Sequence, residues 1–149
     1  MRTMTPEAMA IVKATAPALE KHGVAITTAM YARLFRDAEI AAMFDQAAQA
    51  SGEQPRRLAG AILAYARNID RLDTLGTAVG RMVARHVQTG VKPEHYPHVA
   101  AALLPAIRDV LGADVATDEV LAAWGEAYWQ LADILIGAEA QAYESASAA

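Results

Sequence analysis

Residues 75–93 read LGTAVGRMVARHVQTGVKP, and the spacing within this stretch decides how the rest of the chain is read. Leu75, Ala78, Val79, Met82, Val83 and His86 recur three and four residues apart, which is the period of one face of a helix. That apolar stripe ends in an imidazole. Gly90 and Pro93 then close the helix, glycine because it accepts a left-handed cap and proline because it cannot continue the hydrogen-bond ladder. Asp73 or Thr74 offers a cap at the other end.

Working outward, every other segment punctuates in the same way. Thr5-Pro6-Glu7 opens a first helix, with a capping hydroxyl and proline at the first helical position, and it is expected to reach about Lys21 with a kink at Pro17. His22-Gly23 reads as a break. A second segment, Val24 to Asp37, sets Thr27, Tyr31, Leu34 and Phe35 on one face, and a short piece follows from Ala38 to Phe44. Asp45 to Glu53, with Ser51-Gly52, reads as the one substantial loop. Pro55 then opens a helix carrying Leu58, Ala61, Ile62, Tyr65 and Ile69 on one face. Beyond Pro93, an apolar helix is predicted from about Glu94 to Leu111, with Pro105 a kink. Gly112-Ala113-Asp114 breaks the chain, Thr117 caps, and a last helix runs from Asp118 to about Glu144 with Trp124, Tyr128, Leu131, Leu135, Glu139 and Tyr143 aligned. The small polar residues Ser145 to Ala149 are expected to fray. With no strand alternation, phosphate-cradling glycine loop or internal repeat, the reading is one all-α domain over residues 1–149.

Composition narrows the function classes. The chain has 149 residues, 13 Lys+Arg against 17 Asp+Glu for a net charge of −4, and no cysteine. Disulfides and thiolate metal sites are excluded. Clustered cations of the kind that grip phosphates are absent, with only Arg56-Arg57 adjacent, which argues against a nucleic-acid partner. No apolar run reaches the ~20 residues of a membrane span, and Arg2, Glu7 and Lys13 interrupt the N-terminus in a way unlike a signal peptide. A cytoplasmic protein is expected. Apolar residues make up 54% of the chain but aromatics only 6%, and alanine, the strongest helix former, is about a quarter of it. Such a small-residue core can leave room for a non-protein group.

Four polar residues sit on these apolar stripes: Tyr31, His86, Tyr96 and Glu139. Each also has an ordinary structural reading, since a core tyrosine can reach the rim with its hydroxyl, a histidine can be satisfied inside a core, and a helix can turn a glutamate to solvent. A buried Glu139 would need a donor, because an unpaired carboxylate in the core costs several kcal/mol; Tyr96 or a ring N–H of His86 would serve. His95 and His98 share a helix turn, but no carboxylate set completes a metal site around them. Protease, hydrolase and thiol motifs are absent, so chemistry is expected to reside in a bound cofactor. A single imidazole on an apolar helix face, in a small all-α domain without cysteine, points to non-covalent haem. Its iron takes one neutral nitrogen ligand and leaves the opposite side open to a gas. His86 can supply that nitrogen, and Tyr31 and Gln54 can donate hydrogen bonds on the open side.

At these residues the chain resembles the globin family, in particular the bacterial single-domain haemoglobins and the globin domain of flavohaemoglobins. The resemblance runs from about Thr5 to Tyr143. It rests on Ile11-Val12-Lys13-Ala14-Thr15 with Pro17, Tyr31 with Leu34-Phe35, Phe44, Gln54 with Leu58, Tyr65-Ala66 with Asn68-Ile69, His86, Lys92-Pro93-Glu94 with Tyr96, Ala123-Trp124-Gly125 with Ala127-Tyr128, and Glu139-Ala140 with Tyr143.

The resemblance implies a three-over-three helical sandwich with a loop in place of the D helix, holding haem b. It implies His86 as the iron ligand and Tyr31 as the distal donor to dioxygen. Gln54 and Leu58 would line the distal side, Phe44 would pack on the haem, and Tyr96 and Glu139 would hydrogen-bond around the proximal imidazole. Arg85 would pair with a haem propionate or stay in solvent. Reversible dioxygen binding is implied, together with conversion of nitric oxide to nitrate by a nitric oxide dioxygenase reaction. Because 149 residues leave no room for the fused flavin domains, the electron is expected from a separate reductase. An oxygen carrier without physiological turnover is the rival reading, and monomer or homodimer is left open.

Overall fold

A computed structural model of the chain describes residues 4–43, 52–71 and 75–148. Among these the regular structure is entirely helical: α1 Pro6–Leu34, α2 Ala38–Ala41, α3 Glu53–Arg67, α4 Gly76–Thr89, a 3-10 turn Pro93–His95, α5 Tyr96–Leu111 and α6 Asp118–Ala148. The expected caps at Asp73 or Thr74 and most of the expected loop, residues 45–51, lie outside the described residues.

Local chemistry accounts for the ends. Thr5 Oγ1 accepts from Ala8 N at 3.2 Å, and Asp37 Oδ1 accepts from Glu39 N at 3.0 Å to start α2. Thr117 Oγ1 accepts from Val120 N at 3.2 Å. Gly90 closes α4 with φ of 79°, a left-handed conformation that glycine adopts without Cβ strain. Several boundaries differ from the sequence expectation, among them the end of α1 at Leu34 rather than Asp37. α3 starts at Glu53 rather than Pro55, with Gly52 as its cap. α5 is preceded by the 3-10 turn. α6 continues to Ala148, so residues 145–148 are helical rather than frayed.

The larger difference is that α1 is continuous through Pro17 and through the expected break at His22-Gly23. Gly23 is buried, and a Cβ placed on it would meet Ala59 Cβ at 3.2 Å. It is therefore a packing glycine at the crossing of α1 and α3, not a terminator. Gly23→Ala sets a gain of about 1 kcal/mol in helix propensity against this tight contact. Gly23→Val adds branched bulk with nowhere to go and is expected to lower stability by about 1–3 kcal/mol, read by denaturant titration.

α1 packs along α3 and α5, and α6 packs on α1, α4 and α5. Alanines stand at the contacts: Ala66, Ala106 and Ala116 are fully inaccessible, and Ala127 and Ala132 nearly so. The longer side chains between them, Val12, Ile26, Met30, Ile69 and Ile107, fill the core. Trp124 donates from Nε1 to Thr15 Oγ1 at 2.9 Å, tying α6 to α1. α3 and α4 follow each other in the chain, yet they do not pack extensively on one another. One rests on α1 and the other on α6.

Candidate functional site

The predicted residues fall into two groups, one where α1 meets α3 and one where α4, α5 and α6 meet. On the α1 and α3 side, Thr27 is buried and donates from Oγ1 to Pro55 O at 2.8 Å. This bond, beside the Gly23–Ala59 contact, pins the first turn of α3 to α1. One helical turn past Thr27 stands Tyr31, and one residue before Pro55 stands Gln54. The pin therefore brings those two together: Gln54 Nε2 donates to Tyr31 OH at 3.2 Å. Burial pushes the Tyr31 phenol up, with the Gln54 bond and the positive charge of Arg57 pulling the other way, so the hydroxyl stays protonated. Phe35 packs at 5.4 Å from the Tyr31 ring, and Leu58 is half-buried against the same core. Phe44 lies outside the described residues.

On the other side α4 is anomalous. Its stripe of Leu75, Val79, Met82, Val83 and His86 is only half-covered, Ala78 is exposed, and none of its residues is buried. A helix with a continuous apolar face is ordinarily seated on a core. Here Val79, Met82 and Val83 rest on one side against Tyr96, Ala132 and Leu135, while Leu75, Ala78, Val79 and Met82 also line a cavity of about 200 Å³ shared with Ala61, Ala64 and Tyr65 of α3 and with Leu131 and Ile134 of α6.

The His86 ring is held at one nitrogen. Its Nδ1 lies 2.6 Å from Glu139 Oε2 and 3.2 Å from Tyr96 OH. Tyr96 OH donates to Glu139 Oε1 at 2.6 Å. The carboxylate, 3% exposed, is thus satisfied from both sides in a closed triangle. Burial pushes the Tyr96 phenol up strongly, and its bond to Glu139 adds to the effect, so it remains a donor. Tyr128 OH donates to Tyr96 O at 2.7 Å and fixes that residue in turn. With Nδ1–H facing the carboxylate, the His86 tautomer leaves a lone pair on Nε2, and Nε2 has no partner among the described residues. Gln141, two residues further along α6, is exposed, whereas Glu139 is buried.

The cavity is apolar and lies between two helices that make little contact with each other, and His86, one helical turn past its lining residue Met82, has its ring poised by an anionic partner; this combination suits an apolar cofactor that takes an imidazole ligand. Arg85 is exposed with no ion-pair partner among the described residues. His95 Nδ1 accepts from Lys92 N at 2.9 Å and caps the 3-10 turn, and among the described residues no group of three His, Asp or Glu side chains is placed to hold a metal.

Residues 28–135 match the globin family model. The chain belongs to the globin family. It is 54% identical over 138 residues to a flavohemoprotein of Xylella fastidiosa, an alignment covering 93% of the chain but 34% of that protein. The chain spans about a third of the length of the curated relatives it matches. An engineered carbene transferase from Rhodothermus marinus, whose parent is provisionally named a nitric oxide dioxygenase, superposes with a TM-score of 0.90 at 43% identity, covering 97% of this chain and 99% of its own. A flavohaemoglobin of Malassezia yamatoensis holding FAD and haem superposes with a TM-score of 0.86 at 30% identity, covering 95% of this chain and 38% of its own. The globin fold agrees with the helix order and packing, and haem binding is supported by the family and by the slot.

The bonding roles of two groups in the globin's interior, Tyr65 and Gln130, escaped the sequence reading. Tyr65 OH donates to Ala127 O at 2.9 Å and accepts from Gln130 Nε2 at 3.0 Å. This joins α3 to α6 beside the cavity, and burial pushes the phenol up to about 12. Gln130 is 7% exposed. The signal was there: it is a polar residue on the inward side of α6, open to the same reasoning as Glu139. Thr27 was placed on the correct face of α1, but its bond to Pro55 has no local signature.

Proposed function

We propose that this globin holds haem b non-covalently through His86 Nε2, binds dioxygen reversibly on the side of Tyr31 and Gln54, and converts nitric oxide to nitrate with electrons from a separate reductase. The observation that carries the reading is the closed triangle of His86, Tyr96 and Glu139. Haem, when bound, supplies an iron that takes up dioxygen and cycles between oxidation states. Glu139 keeps the Nδ1 proton engaged, so Nε2 presents its lone pair, and the anionic contact makes the imidazole more electron-donating. Such a push favours O–O chemistry over plain storage. Tyr96 holds the second carboxylate oxygen, which prevents Glu139 from rotating away.

On the opposite side, Tyr31 offers its hydroxyl to dioxygen as negative charge develops there, while Gln54 holds the phenol in place. Leu58 contributes apolar surface that disfavours water. Arg85 is assigned to a propionate at the rim. The overall balance is one nitric oxide, one dioxygen and one electron to one nitrate, and the electron must arrive from outside this domain.

The test mixes nitric oxide with the haem-loaded protein equilibrated with dioxygen. One nitrate per haem is expected, with turnover once a reductant is added; failure to form nitrate overturns the dioxygenase reading and leaves oxygen delivery. Tyr31→Phe is expected to speed dioxygen release roughly 10–100-fold, since a hydrogen bond to a charged group is worth about 1.5–3 kcal/mol. An unchanged off-rate in stopped-flow would remove Tyr31 from the site.

A further inference from the structure

The His86 ring is gripped by Glu139, and the backbone that carries the ring is gripped by the same helix face. Glu139 and Tyr143 lie four residues apart on α6 and so share a face. Tyr143 OH donates to Val91 O at 2.8 Å and approaches His86 O at 3.5 Å. The turn it touches is the exit from α4. There His86 O already receives Val91 N at 3.0 Å and Thr89 Oγ1 at 3.2 Å, whereas Val91 O has no other donor among the described residues. Without the phenol, that carbonyl would face a half-buried space unpaired, and the turn through Gly90, whose left-handed backbone lacks a side chain to anchor it, would rest on helix-end bonds alone.

We propose that Tyr143 is a positioning residue for the iron ligand: by fixing the Gly90–Val91 turn, it holds the last turn of α4 at the height where His86 Nδ1 meets Glu139. The geometry leaves little slack, because a hydrogen bond of 2.6 Å weakens steeply as its donor tilts. α6 thereby acts as one rigid bracket with two arms, one on the ring and one on the main chain behind it.

This inference rests on His86 being the haem ligand, and the experiment separates the two. Resonance Raman spectra of the ferrous, gas-free, haem-loaded protein report the iron–histidine stretching band. Tyr143→Phe keeps the ring and loses only the hydroxyl; the band is expected to shift to lower frequency and broaden, and haem transfer to an acceptor apoglobin to quicken roughly tenfold, the lower end of what outer-shell losses cost. Glu139→Gln is expected to move the band further. A band moved by Glu139→Gln but identical to the parent in Tyr143→Phe, with unchanged haem transfer, overturns the role of Tyr143 alone. A parent protein that shows no iron–histidine band overturns both.

Discussion

His86→Ala is expected to remove the Soret absorption of the haem-loaded globin at stoichiometric haem, and millimolar imidazole to restore it. The loss should exceed the roughly 10–100-fold in affinity that follows removal of an outer-shell partner, because the ligand itself is gone. Rescue follows from the geometry left behind: Tyr96 OH keeps its 2.6 Å bond to Glu139 Oε1, and Glu139 Oε2 stays available to accept an imidazole N–H. The same substitution takes one partner from a buried carboxylate, which is expected to cost about 1–3 kcal/mol in the cofactor-free protein. His98→Ala, at an exposed position on α5, serves as the control and should leave the spectrum intact. A Soret band that survives His86→Ala would sink the assignment of the ligand and, with it, the role given to the triangle.

Haem loading is the second large effect. A group that binds only the folded chain stabilises it by about 4 kcal/mol at a thousandfold excess over its dissociation constant. For a domain of this size that corresponds to roughly 10 °C in the melting temperature. The structural reason lies in α4, whose apolar stripe is only half-covered by protein and in part lines a cavity of about 200 Å³. Filling the slot adds apolar contact to that stripe. Equal melting temperatures with and without haem would mean that the stripe is satisfied some other way.

Much of this could be read from residue spacing. The stripe from Leu75 to His86 marked both a helix and the residue proposed as its ligand, because a helical period with a nitrogen base at its end is a local pattern. Glu139 was legible for the same reason: the 124, 128, 131, 135 series points inward, and the carboxylate on it had to find a donor. What local pattern could not reveal was contact between distant segments. Gly23 has the look of a terminator in its own neighbourhood, and only the presence of Ala59 across the helix crossing makes it an interior residue. The pairing of Gln54 with Tyr31 depends on Thr27 reaching the carbonyl of Pro55. Tyr143 likewise acts on a main-chain oxygen, and a backbone carbonyl carries no residue identity that a sequence could display.

The alanine contacts between helices carry a consequence for how this chain can vary. Ala66, Ala106, Ala123, Ala127 and Ala132 are buried where helices meet, so there is little side-chain volume at these points to lose and none to gain. Truncating core substitutions, which cost ~2–5 kcal/mol when a Leu or Ile is cut to alanine, are already exhausted there, while each added methylene must force two helix axes apart. Drift at these positions is therefore one-sided: toward glycine it erodes stability gently, and toward valine or leucine it meets a wall. Any descendant of this sequence that acquires larger residues at one crossing must shed volume at its partner in the same lineage, so substitutions at the helix contacts should travel in compensating pairs.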